Sequence, residues 1–147
     1  MTTFTLAWGR DDDAPSGQHV IVVKDANELS AAFDVVAEAA NEVHLPQVVD
    51  LFEGTWDGNG AAPDGGLQIM IGHPERSWMT WLGDDAALAA DPQMPAWPKS
   101  IECDRGGQWD EVSPTWLRIS SARAREAAME YVRTGRRPTS VAWVAPV

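Results

Sequence analysis

Two hydrophobic periods run along this chain, and the places where one gives way to the other predict its elements. Phe4, Leu6 and Trp8 alternate with Thr3, Thr5 and Ala7, the period of two expected of a half-buried strand. His19 to Val23 (HVIVV) forms a second run after the polar turn Gly9 to Gly17 (GRDDDAPSG), so the pair predicts a hairpin. From Asp25 the period lengthens. Leu29, Ala32, Phe33, Val36 and Ala40 fall on one helical face with Asp34, Glu38 and Asn41 off it, and Asp25 with Glu28 makes a capping-box pattern for a helix reaching about Glu42. Val48, Val49, Leu51 and Phe52 predict a third strand. The next segment, Gly54 to Gly66 (GTWDGNGAAPDGG), holds five glycines and a proline and forms no regular element.

Further strands are expected near 67–72, 77–82, 97–104 and 108–112, with Gly72 to Ser77 (GHPERS) as a hairpin turn. Asp84 to Ala90 reads as a short helical turn ahead of Pro92, Pro95 and Pro98. The last quarter is the most strongly punctuated. Ser120 or Ser121 can cap a helix whose apolar stripe is Ala124, Ala127, Ala128, Tyr131 and Val132; Gly135 stops it and Pro138 cannot continue it. Val141, Trp143 and Ala145 then alternate as a closing strand. Many strands and two substantial helices predict an α+β fold, a largely antiparallel sheet packed by two main helices, as one domain spanning residues 1–147.

A helix ending in a TGRRP turn before a strand finishing in VAW resembles the Imm-type immunity proteins of bacterial polymorphic toxin systems, specifically the first of the numbered Imm families. Upstream, LQIMIG (67–72), WMTWLG (78–83), Trp97 and Ser100 ahead of an acidic, glycine-containing hairpin extend the resemblance over residues 65–144. None of these motifs is catalytic; their order and spacing carry the likeness. The resemblance implies a small cytoplasmic protein that binds and neutralises a cognate toxin domain, often a deaminase or a nuclease.

Charge sharpens that expectation. The net charge is -11, but residues 1–98 hold 3 basic and 16 acidic side chains whereas residues 99–147 hold 8 basic and 6 acidic. A carboxylate-rich surface repels phosphates, which argues against direct binding of nucleic acid. Its complement is a partner with a basic cleft, such as a toxin that acts on nucleic acid. The single Cys103 excludes an intramolecular disulfide and a four-cysteine zinc site, and no long apolar run or basic leader is present, so the chain reads as cytosolic. Cys103 itself lies in a strand-like run and reads as a small core or edge residue.

Trp8, Trp81 and Trp143 sit in apolar runs and are expected in the core, while Trp56, Trp97, Trp109 and Trp116 stand beside Gly, Pro or Asp in loop or edge contexts. Aromatic rings among carboxylates have the chemistry of a binding hot spot. The expected toxin contacts are accordingly Trp56, Asp57, Asp64, Glu75, Asp84, Asp85 and Asp91. Catalysis has thinner support. His19, His44 and His73 are isolated, no metal-ligand spacing occurs, the Asp11 to Asp13 run lacks the spacing of a calcium loop, and the glycine-rich segment lacks a Gly-Lys-Ser/Thr ending. No cofactor or metal is expected. The alternatives are a small enzyme using His73 with nearby carboxylates, or an interaction module unrelated to toxins. Oligomeric state is not encoded in any visible pattern, and Arg136 and Arg137 are expected to brace the chain's own carboxylates.

Overall fold

The computed structural model describes residues 2–60 and 62–145. Its frame is a sheet in which β1 (Phe4–Trp8) lies between β2 (His19–Val23) and β3 (Gln47–Glu53), antiparallel to both, so that Leu6 stands opposite Ile21 on one side and Leu51 on the other. The sheet continues from β3 through β4 (Leu67–Ile71), β6 (Met79–Trp81) and β7 (Ala87–Ala90) to β11 (Ala142–Val144), every neighbour antiparallel. One join is parallel. Where β1 ends with Trp8 opposite Val49, β8 (Ile101–Arg105) takes its place beside Gln47 and Val48, and β9 (Gln108–Val112) closes a hairpin on β8. A two-stranded ribbon of β5 (Arg76–Ser77) and β10 (Ile119–Ser120) lies apart.

Strand alternation sends Leu6, Val49, Leu51, Leu67, Ile69 and Met79 to one face, where α1 (Ala26–Val43) and α2 (Ser121–Thr134) cover them. The buried residues of each helix are those of its predicted stripe: Leu29, Ala32, Phe33, Val36 and Ala40 in α1, and Ala124, Ala127, Ala128, Tyr131 and Val132 in α2. Three alanines in α2 let it lie close to its neighbours, and Arg125 bridges to α1 through Asp34 at 2.8 Å and the Ser30 carbonyl at 3.1 Å. Removing the buried Phe33 ring would cost about 3–5 kcal/mol. On the opposite face Val48, Met70 and Leu88 meet Trp78, Ile101, Cys103, Val112 and Leu117 in a second core. The sheet is thus covered on both sides.

Helix ends follow local chemistry. Asp25 accepts the Glu28 amide at 2.8 Å while Glu28 reaches back to the Lys24 amide at 2.8 Å, a capping box whose return bond falls one residue earlier than usual. Ser120, not Ser121, caps α2 by accepting the Arg123 amide at 3.1 Å. Gly135 ends it at φ 69°.

Four expectations need correction. The segment 84–90 is not a helical turn: Ala87–Ala90 forms strand β7, buried between β6 and β11, because pairing on both sides outweighs alanine's helix preference. Trp97 to Ser100 lie outside β8, since Pro95 and Pro98 keep that stretch irregular. Thr5 and Ala7 are buried like their neighbours, Thr5 Oγ1 donating to the Gly54 carbonyl at 2.6 Å, so β1 is a fully buried central strand. Arg136 and Arg137 form no ion pair among the described residues. Arg137 stands over the Trp143 ring at 5.7 Å, and the post-helix turn is instead held by Glu130, which accepts the amides of Thr139 (2.6 Å) and Ser140 (3.1 Å).

Candidate functional site

The register divides the loops between the two ends of the sheet. At the end where β3 finishes, the 54–66 loop meets the β6–β7 connection, joined by the Leu82 amide donating to the Gly66 carbonyl at 2.8 Å. Asp64, Asp84 and Asp85 are all exposed here, Asp85 in the left-handed conformation at φ 59°. The first half of the same loop lies against the β1–β2 turn, where Trp56 and Asp57 border a shallow cavity of about 260 Å³ with Asp11, Pro15 and Val20. Asp57 is committed to its own turn: it accepts the Asn59 amide at 2.9 Å, and that bond holds its carboxyl below the ordinary range. Glu75 and Asp91 occupy the opposite end. The seven expected contact residues therefore lie in three places.

That opposite end is built around the 72–76 turn. His73 Nδ1 accepts the amides of Glu75 (3.1 Å) and Arg76 (3.0 Å), and Ser121 Oγ donates to the carbonyls of His73 (2.7 Å) and Arg76 (2.9 Å), clamping the turn to the start of α2. The buried Arg76 donates through one nitrogen to the carbonyls of Pro95 (2.6 Å) and Leu117 (2.8 Å), and its guanidinium covers the Trp97 ring at 4.9 Å. His73 meets the same ring edge-on at 5.4 Å. Trp97 is held between the two. Beside it opens a groove of about 530 Å³ lined by His73, Trp97, Lys99, Ser100, Glu102 and Glu111.

The β8–β9 hairpin forms the far wall of this groove. With Ile101, Cys103 and Val112 turned to the core, alternation puts Glu102, Asp104, Trp109 and Glu111 on the outer face. Glu102 stands directly opposite Glu111, and Asp104 opposite Trp109. Like charges across a ladder destabilise it by roughly 0.2–1 kcal/mol. Neither glutamate has an ion-pair partner among the described residues, and Glu111 has only a 3.3 Å bond from Ser100 Oγ. Trp109 is 64% exposed, against 2% for Trp78. Among the tryptophans expected at the core, Trp8 is buried and Trp81 and Trp143 are half-buried; Trp56, Trp97 and Trp116 are half-buried as well. The expected contact set omitted Glu102 and Glu111, although the alternation of IECDR and QWDEV would have placed them on one face.

Burial lowers the His73 pKa, with Glu75 opposing and Arg76 adding, and Nδ1 is already an acceptor for two amides. Its free Nε2 then carries the proton, so the ring can donate but cannot act as a base without dismantling the turn. Burial drives the Cys103 thiol up to about 11. No group of three or more metal-ligating side chains occurs among the described residues, and no helix there is long and apolar enough to cross a membrane.

The fold is α+β, with acidic loops at both ends of the sheet and a hairpin face that carries an aromatic ring among carboxylates. The chain belongs to the Imm1 family: the family model for Immunity protein Imm1 matches residues 17–145, most of the chain. No curated protein and no solved structure matches it.

Proposed function

We infer that this protein neutralises a cognate toxin domain by binding over its active site, and performs no chemistry of its own. The family is the observation that carries the reading. It is supported by the charge, net -11 with 16 acidic and 3 basic side chains in residues 1–98, and by the engagement of His73 Nδ1 in its own turn. The toxin is a deaminase or nuclease whose basic cleft attracts the carboxylates, steering association to on-rates of about 10⁸ M⁻¹s⁻¹ at low salt. Protection takes place in the bacterial cytoplasm. Trp56, Asp57, Asp64, Glu75, Asp84, Asp85 and Asp91 are contact candidates, with Asp64, Asp84 and Asp85 sharing one end of the sheet.

Co-expression with the cognate toxin domain, expected to be encoded directly upstream, tests the reading. Restored growth and co-purification are expected; failure of both would overturn it. Charge reversal of Asp57 and Asp64 to lysine should slow association, and unchanged affinity would remove those two residues from the interface.

A further inference from the structure

The outer face of the β8–β9 hairpin is covered by no other element among the described residues. Ile101, Cys103 and Val112 fill the second core from its inner side, whereas the outer side presents Trp109, 64% exposed, among Glu102, Asp104 and Glu111. Among the described residues β9 pairs only with β8, so its outer edge is open there as well. Folding alone does not favour this arrangement. A tryptophan standing in solvent adds nothing to the core, and two glutamates set opposite each other work against the ladder that carries them.

We propose that this hairpin face, with the groove running from it to Trp97, is the surface that enters the toxin's basic cleft. Trp109 is the apolar anchor, and Glu102 and Glu111 together take an arginine or lysine side chain of the toxin. The proposal rests on the immunity reading and names where contact is made. Charge complementarity selects the occupant. A cleft built for nucleic acid offers cations to anions and flat surfaces to rings, and this face offers the matching ring and carboxylates. A second copy docked face to face would set carboxylates against carboxylates, which disfavours a symmetric dimer through this face. Lys99 is the one lysine or arginine among the groove's lining residues, and it forms no ion pair among the described residues, so the glutamate pair is left to an outside cation.

A surface kept for a partner at the expense of the fold has a signature that a structural role lacks. Glu111→Lys converts the opposed pair into a cross-strand Glu–Lys pair, so it should raise Tm by about 1–4 °C while weakening binding at least tenfold. The probe is the catalytically inactivated form of the toxin domain from which co-expression rescues growth, titrated calorimetrically against full-length wild type, E111K and W109A. W109A should keep the wild-type Tm within about 2 °C and also lose at least tenfold in affinity. Wild-type affinity in both variants would overturn the hairpin assignment and leave the immunity reading standing. No binding by the wild type would overturn both.

Discussion

Arg76 carries a charge into the protein and forms no ion pair among the described residues, which makes it the sharpest test of how the groove end is held. Replacement by Met keeps the aliphatic stem and removes three interactions: bonds to the Leu117 and Pro95 carbonyls at 2.8 and 2.6 Å, and the guanidinium over Trp97 at 4.9 Å. The Leu117 bond is buried, so its carbonyl loses its donor where water does not replace it, a cost of about 1–3 kcal/mol. Pro95 is exposed and its carbonyl can turn to water, so that bond contributes only about 0.5–1.5 kcal/mol. The stack on tryptophan adds about 0.5–2 kcal/mol. Relief from burying the charge offsets part of this sum, leaving R76M destabilised by about 3 kcal/mol. With a urea m-value of about 2 kcal/mol/M the midpoint should fall by roughly 1.5 M. Equilibrium unfolding followed by tryptophan fluorescence measures it. A loss below about 0.5 kcal/mol would refute the view that these carbonyls depend on Arg76.

Three other perturbations probe separate parts of the fold. Gly66 sits at φ +87°, and a Cβ there would collide with the Leu51 carbonyl oxygen in the central strand. Gly66→Ala should cost about 3 kcal/mol from backbone strain and overpacking, lowering Tm by about 10 °C; a near-native Tm would contradict it. Burial holds the Asp50 carboxyl above its ordinary pKa, against a 2.8 Å bond from Gln68 and the charge of Arg105. The fold therefore binds that proton more tightly than the unfolded chain does, and ionising Asp50 costs stability as pH rises through the raised pKa. Asp50→Asn should be more stable than wild type at pH 7 and lose that advantage as pH falls through the raised pKa. Urea titrations at pH 7 and pH 4 measure it, and an advantage that does not shrink would refute the assignment. The Cys103 thiol, fully buried and pushed up to about 11, should resist a thiol reagent at pH 8 until the protein is unfolded. Prompt labelling of native protein would show that the second core opens readily.

Both helices were legible because an amphipathic stripe needs only local spacing. The five buried residues of α1 and the five of α2 were readable from intervals of three and four, and Gly135 and Pro138 marked the end of α2 in plain sequence. Ala87–Ala90 was not legible. ALAA carries no period of two and has high intrinsic helix preference, so only its pairing with β6 and β11 makes it a strand. Trp56, Asp57 and Asp64 share one glycine-rich stretch of sequence, yet its first half folds against the β1–β2 turn, a placement no local pattern signals.

What the sequence determined by itself is both helices and most of the strands, the α+β class, the acidic asymmetry and the family, since each depends on neighbours along the chain or on composition. Tertiary structure alone decided what those elements present. The parallel join of β8 to β3 at Gln47 and Val48 seats the hairpin on the sheet with Ile101, Cys103 and Val112 inward, and so turns the face of Glu102, Trp109 and Glu111 outward. Residues 102 and 111 are nine positions apart in a chain that does not announce its register. Only hydrogen-bonded pairing, summed over both strands and selected by burial of Ile101, Cys103 and Val112, sets the two carboxylates face to face.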